Sequence, residues 1–248
     1  MTSLEARKPA PEWLFTDPIS LALLKFVSAR PKHNEGHEQY ASALVTDSGK
    51  ILSISRNMQV KKNEGWFIVQ GYANHAEMMA YSVANLLYPE SVQGVLYVIG
   101  FLSNDSVFVH KNVTRNGIST PRFTCIRCAK KVCEHQINGI VLPTAESWQM
   151  LDSRTALSTA TEFENEAKIR GKSSARIAEQ ISLTDKSVHQ FNHHLHQNQP
   201  PDILRAVENN FELSPFAAEV IRRSGDGYIQ TREYKTLVFQ MASQSKKK

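Results

Sequence analysis

Apolar residues recur along the chain in two distinct periods. Ile19 to Val27 is a dense apolar segment of helical length, and Tyr40-Ala41-Ser42-Ala43-Leu44-Val45 alternates with period 2, as a half-buried strand does. Asp47-Ser48-Gly49-Lys50 supplies turn residues, and Ile51-Leu52-Ser53-Ile54-Ser55 completes a hairpin. Ala76 to Leu87 reads as a buried helix, with Asn74 as its N-cap and Pro89 as its stop. A second helix runs from Cys125 to about Gln136. Val95 to Ile99 and Gly139 to Leu142 are apolar runs of strand length, one after each of these helices. Such alternation predicts an α/β protein in three layers, α/β/α, with the sheet covered on both faces.

Phe101–Thr120 reads as an inserted hairpin turning at Asn116-Gly117 and carrying Lys111 and Arg115. The texture changes at Arg170-Gly171-Lys172-Ser173-Ser174, which suggests three regions: an arm over 1–17, a main domain over 18–170, and a mostly helical extension over 171–248. Ser174 to Leu195 resembles a helix-turn-helix, with Ala178 where helices would cross, Ser182 in the turn, and Val188 and Phe191 facing inward. His189, His193, His194 and His196 cluster there without the Glu of an H-E-x-x-H site, so a solvated helix end is expected. Asp202 to Asn210 and Ser214 to Arg223 read as further helices. Ser224 to Gly227 reads as a turn, followed by a Tyr228–Met241 element of open type.

Candidate chemistry changes the picture most at His75-Ala76-Glu77 and Cys125-Ile126-Arg127-Cys128. One imidazole and two thiolates supply three ligands to a zinc ion and leave a fourth tetrahedral position open. Zinc in such a site supplies nucleophilic water at neutral pH. Glu77, not a ligand, is placed to shuttle protons. A lone C-x-x-C would also suit a redox pair or half of a zinc ribbon, but the chain has no second C-x-x-C. Cys133 falls off the ligand face and reads as a core or spare thiol.

H-x-E…C-x-x-C is the signature of the zinc nucleobase deaminases. The stretch from about 18 to 170 resembles the cytidine deaminase-like superfamily, which includes deoxycytidylate deaminases and tRNA adenosine deaminases. That resemblance implies the cytidine deaminase-like fold, Zn2+ as cofactor, Glu77 as the catalytic residue, hydrolytic deamination of cytosine or adenine, and a homodimer or larger. It also implies substrate contacts at Asn57, Ala76 and Thr124. The Cys128-Ala129-Lys130 run is similar to the C-A-K pattern of deoxycytidylate deaminases, and so is Trp148 to Ile169, read as the helix after their fourth strand. Met79, in Ala76-Glu77-Met78-Met79-Ala80, looks more like the tRNA adenosine deaminases. Where the family has Pro before the first Cys this chain has Thr124, and the nearest proline is Pro121.

With 248 residues, 41% of them hydrophobic, the chain can bury one substantial core and a small second unit. No apolar run approaches a membrane span and no signal-peptide core is visible, so a cytoplasmic protein is expected. A net charge of +5 favours polyanionic partners. Lys61-Lys62 with Trp66 and Phe67, upstream of His75, suit either backbone binding and base stacking or an ordinary loop with one buried aromatic, and a Lys246-Lys247-Lys248 tail adds charge. The preferred substrate is therefore a base within a polynucleotide, RNA such as tRNA or single-stranded nucleic acid. The alternative is a free-nucleotide deaminase of the deoxycytidylate or cytidine type, in pyrimidine salvage. A third class, a binding protein without turnover, is disfavoured by the intact Glu77.

Overall fold

The first hairpin becomes the middle of a mixed sheet. The computed structural model describes residues 11–28, 39–58, 75–101, 112–115, 118–121, 125–144, 146–169, 202–226 and 229–245. Among them run α1 (Pro18–Ser28), β1 (Gln39–Val45), β2 (Lys50–Arg56), α2 (Ala76–Leu87), β3 (Val95–Phe101), β4 (Asn112–Arg115), β5 (Ile118–Pro121) and α3 (Ile126–Glu134). They are followed by β6 (Gly139–Pro143), β7 (Trp148–Asp152), α4 (Ser153–Ile169), α5 (Ile203–Glu208), β8 (Glu212–Leu213), α6 (Pro215–Asp226) and α7 (Thr231–Ser245).

Six strands form the sheet in the order β7-β6-β3-β1-β2-β8, and β4-β5 is a separate hairpin. β1 is antiparallel to both neighbours, with Ala43 opposite Ile54 on one side and Tyr97 on the other. β3 and β6 are parallel, which requires a crossover, and the chain makes it through the β4–β5 hairpin and α3. Alternation along β1 sends Ala41, Ala43 and Val45 into one hydrophobic cluster, shared with α1, α5, α6 and α7. Leu44 goes to the opposite cluster, with Met78, Tyr81, Cys128, Val132 and Ala156 of α2, α3 and α4. The protein is thus an α/β fold with helices on both faces of its sheet and a helical C-terminal region.

The C-terminal helices are built into that core. Asp202 caps α5 through Arg205 N at 3.1 Å, and Ser214 caps α6 through Ala217 N at 3.0 Å while its own hydroxyl donates to Leu52 O at 2.7 Å. α7 lies at the β2 edge, where Tyr234 Oη donates to Ile54 O at 2.7 Å and its ring meets Phe26 and Phe216. Arg56, buried under Phe26, donates to Ile229 O. α7 also packs against α2.

Several expectations change. Trp148–Asp152 is a strand, antiparallel to β6 and joined to it by a turn in which Thr144 Oγ1 donates to Ser147 O at 2.8 Å; the helix starts only at Ser153. Leu151 faces the core while Met150 is exposed, the period-2 pattern of an edge strand. Residues 11–17, read as part of the arm, form a 3-10 turn with Leu14 fully buried and Trp13 Nε1 donating to Thr144 O at 3.3 Å. α6 continues through Ser224 and Gly225, positions read as a turn, and the open-type element is helix α7. Asn74, Lys61-Lys62, Trp66, Phe67, Lys111, the Asn116-Gly117 turn, Thr124, the helix-turn-helix segment with its four histidines, and the lysine tail lie outside the described residues.

Candidate metal centre

Small residues let α2 sit close on the sheet. Ala76, Ala80 and Ala84 recur every four residues, all fully buried, and Ser53 Oγ donates to Ala80 O at 2.7 Å. At its far end, Tyr88 Oη accepts from Phe216 N at 3.4 Å, close to Ser214, which is bonded to Ile51 and Leu52 at the start of β2. α2 therefore runs antiparallel to β2, and its N-terminus lies over the end of β2 that leads into Asn57.

His75 is the N-cap of α2, in extended backbone at φ −85 and ψ 133, with its carbonyl accepting from Met79 N at 3.0 Å. The cap is one residue later than the sequence suggested. Extended backbone frees the imidazole to leave the helix start. Cys125 caps α3 in the same way, at φ −68 and ψ 145, and its Sγ accepts from Cys128 N at 3.3 Å. Sulfur thus stands where a serine or aspartate oxygen usually sits.

These two helix starts meet. Cys125 Sγ is 3.3 Å from His75 Nδ1, and the ligand atoms of His75, Cys125 and Cys128 lie within 4.8 Å of one another. An ion bonded to two sulfurs and one nitrogen in a tetrahedron requires separations of roughly 3.6–3.8 Å. The group could hold a metal ion with little adjustment, and Nδ1 is the imidazole atom that faces it.

Electrostatics divides the protons sharply. The hydrogen bond to Cys125 raises the His75 pKa to about 9. Hydrogen bonds from Cys128 and then His75 bring Cys125 down to about 4, while Cys128 is pushed well above the ordinary thiol value, first by sharing its proton with Cys125. Glu77, only 8% exposed, is raised by burial and by the charge on Cys125. A carboxyl that resists ionisation beside a metal-ligand cluster is suited to hold and release a proton.

No family model, curated protein or solved structure matches this chain.

The other expected site residues divide. Ala76 is fully buried beside His75. Asn57 extends the β1–β2 ladder at the metal end of the sheet, its Oδ1 accepting from Tyr40 N and its own N donating to Tyr40 O, each at 3.0 Å. Its side-chain carbonyl is therefore committed to the backbone. Cys133 stays out of the cluster and donates to Ser153 O at 3.0 Å. Arg127 is exposed between the two cysteines, and its charge opposes protonation of His75. Sequence reasoning missed the stack of Tyr81 on His135, which joins α2 to α3 with ring centroids 4.6 Å apart. No motif could have found it, because ring stacking, unlike metal ligation, fixes neither residue type nor spacing. No helix among the described residues is long and apolar enough to cross a membrane.

Proposed function

We propose that this protein is a zinc-dependent hydrolytic deaminase of a nucleobase, converting cytosine to uracil or adenine to hypoxanthine. The observation that carries the reading is the meeting of His75, Cys125 and Cys128 at two helix starts with the buried carboxyl of Glu77 in the first turn of α2. Two thiolates and an imidazole suit zinc. A zinc ion held there would supply nucleophilic water at neutral pH, with a pKa lowered toward ~7. Glu77, in its ionised form, would then take one proton from the attacking water and give it to the ring nitrogen, and afterwards carry the hydroxyl proton of the adduct to the amine, so that the C–N bond breaks, the carbonyl forms and ammonia leaves. A purely structural metal site has no use for that carboxyl.

The substrate class we favour is a base in a polynucleotide. The β4–β5 hairpin enters the chain just before Cys125, and the net charge of +5 suits a polyanion. The competing reading, a free-nucleotide deaminase, draws on the Cys128-Ala129-Lys130 run. Incubation of the zinc-loaded protein with free cytidine and adenosine nucleotides, and separately with single-stranded RNA, DNA and tRNA, distinguishes them by product analysis. Polymer-only conversion, falling steeply with added salt as phosphate contacts release counterions, is expected. Conversion of free nucleotides would replace it with the salvage reading, and conversion of neither would remove the function.

A further inference from the structure

α2 and α3 each carry part of the metal cluster, so the spacing of these two helices decides whether the ligand atoms meet. Beyond the ligands the helices are joined by Tyr81 and His135. Tyr81 lies one turn after Glu77 on α2, and His135 is the C-cap of α3. Their rings stack with centroids 4.6 Å apart and planes inclined by 26°. His135 Nε2 is shut off from solvent and has no hydrogen-bond partner among the described residues. A neutral imidazole tolerates that position. A cation would place a charged N–H where no acceptor waits.

The surroundings point the same way. Lys131, one turn earlier on α3, opposes protonation, while Glu134 favours it but is tied to Lys131 by an ion pair. From α2 the ring is faced by neutral Tyr81, and among the described residues the charged groups that bear on it are Lys131 and Glu134 of its own helix. Attraction of an imidazolium to the Tyr81 ring works in the opposite direction. Burial is the largest influence, and the net result is a histidine held below its usual value of 6.5.

We infer that the Tyr81–His135 stack is a proton-sensitive brace for the metal centre: neutral, it holds α3 against α2, and protonation of His135 loosens the helix pair and weakens metal binding. His135 acts as a positioning residue, seven positions beyond Cys128 and outside the ligand set. The inference rests on the metal-centre reading and adds a pH dependence to it.

The test loads the full chain with Co2+ and follows the thiolate-to-cobalt absorption as pH falls from about 7.5 to about 5, for the wild type, His135→Phe and His135→Gln. Protonation of the ligands lowers occupancy in all three. The brace requires His135→Phe, which keeps a ring against Tyr81, to match the wild type at neutral pH and to show a midpoint lower by roughly half a pH unit or more. His135→Gln, which has no ring to stack, must bind the metal more weakly already at neutral pH. Coincident midpoints overturn it. Thermal melting of the same samples gives a second reading: the wild type must lose melting temperature relative to the variants as pH drops below 6.5, and parallel pH slopes overturn the brace. A chain that takes up no cobalt at any pH defeats the metal reading instead, and the melting comparison still decides the brace.

Discussion

Glu77 is buried, close to a thiolate, and raised above the ordinary carboxyl range, a combination that costs stability and that the proposed proton transfer would account for. Glu77→Gln should keep the metal and the fold while turnover falls by ~10² or more, the usual worth of a lost proton shuttle; steady-state rates at matched metal content check this. The ligands behave differently. Cys125→Ala and Cys128→Ala should each fall well below one metal per chain by elemental analysis, whereas Cys133→Ala, whose thiol serves Ser153 O, should retain it. Full stoichiometry in a Cys125 or Cys128 variant would reject the ligand set. This trio was legible in the sequence because metal chemistry fixes both residue type and spacing. Asn57 was legible only as a position: its bond to Tyr40 depends on where β1 begins, which no motif states.

At the scale of elements, α7 clamps the sheet edge through Tyr234. Tyr234→Phe keeps the ring against Phe26 and Phe216 but strips Ile54 O of its donor, a loss of about 1–3 kcal/mol in denaturant unfolding. On α6, Arg222 and then Arg223 hold the Glu219 carboxyl down to about 2. Because the folded-state pKa lies below the ordinary value of 4.5, this contribution is complete above 4.5 and disappears as pH falls toward 2. The cluster is partly screened by solvent through its arginines, so Glu219→Gln should cost under ~1 kcal/mol at neutral pH, with wild type and variant converging in acid melts. α5 and α6 were readable from their caps, Asp202 and Ser214. β7 was misread because Trp148–Asp152 is a short apolar run directly continuous with a helix. Asp152 Oδ1, which accepts from Arg154 N and Thr155 N at 3.0 Å each, was the boundary signal.

Across the whole molecule the C-terminal helices share a hydrophobic cluster with α1 and brace α2 from the β2 edge. Phe26 meets Tyr234 only after the chain has folded back over some two hundred residues, so composition could mark the region as helical but not say what it covers. Removal of residues 229–248 should therefore lower both stability and metal occupancy. A truncated chain with native melting behaviour and full metal would show that α7 is dispensable to the centre. The most direct test of the account as a whole is ammonia release from the nucleotide and polynucleotide series by the zinc-replete protein, run beside Glu77→Gln carrying the same zinc. Release by the wild type and a loss of ~10² or more in the variant are expected. Equal release by both, or none from any substrate by the wild type, would contradict the deaminase reading.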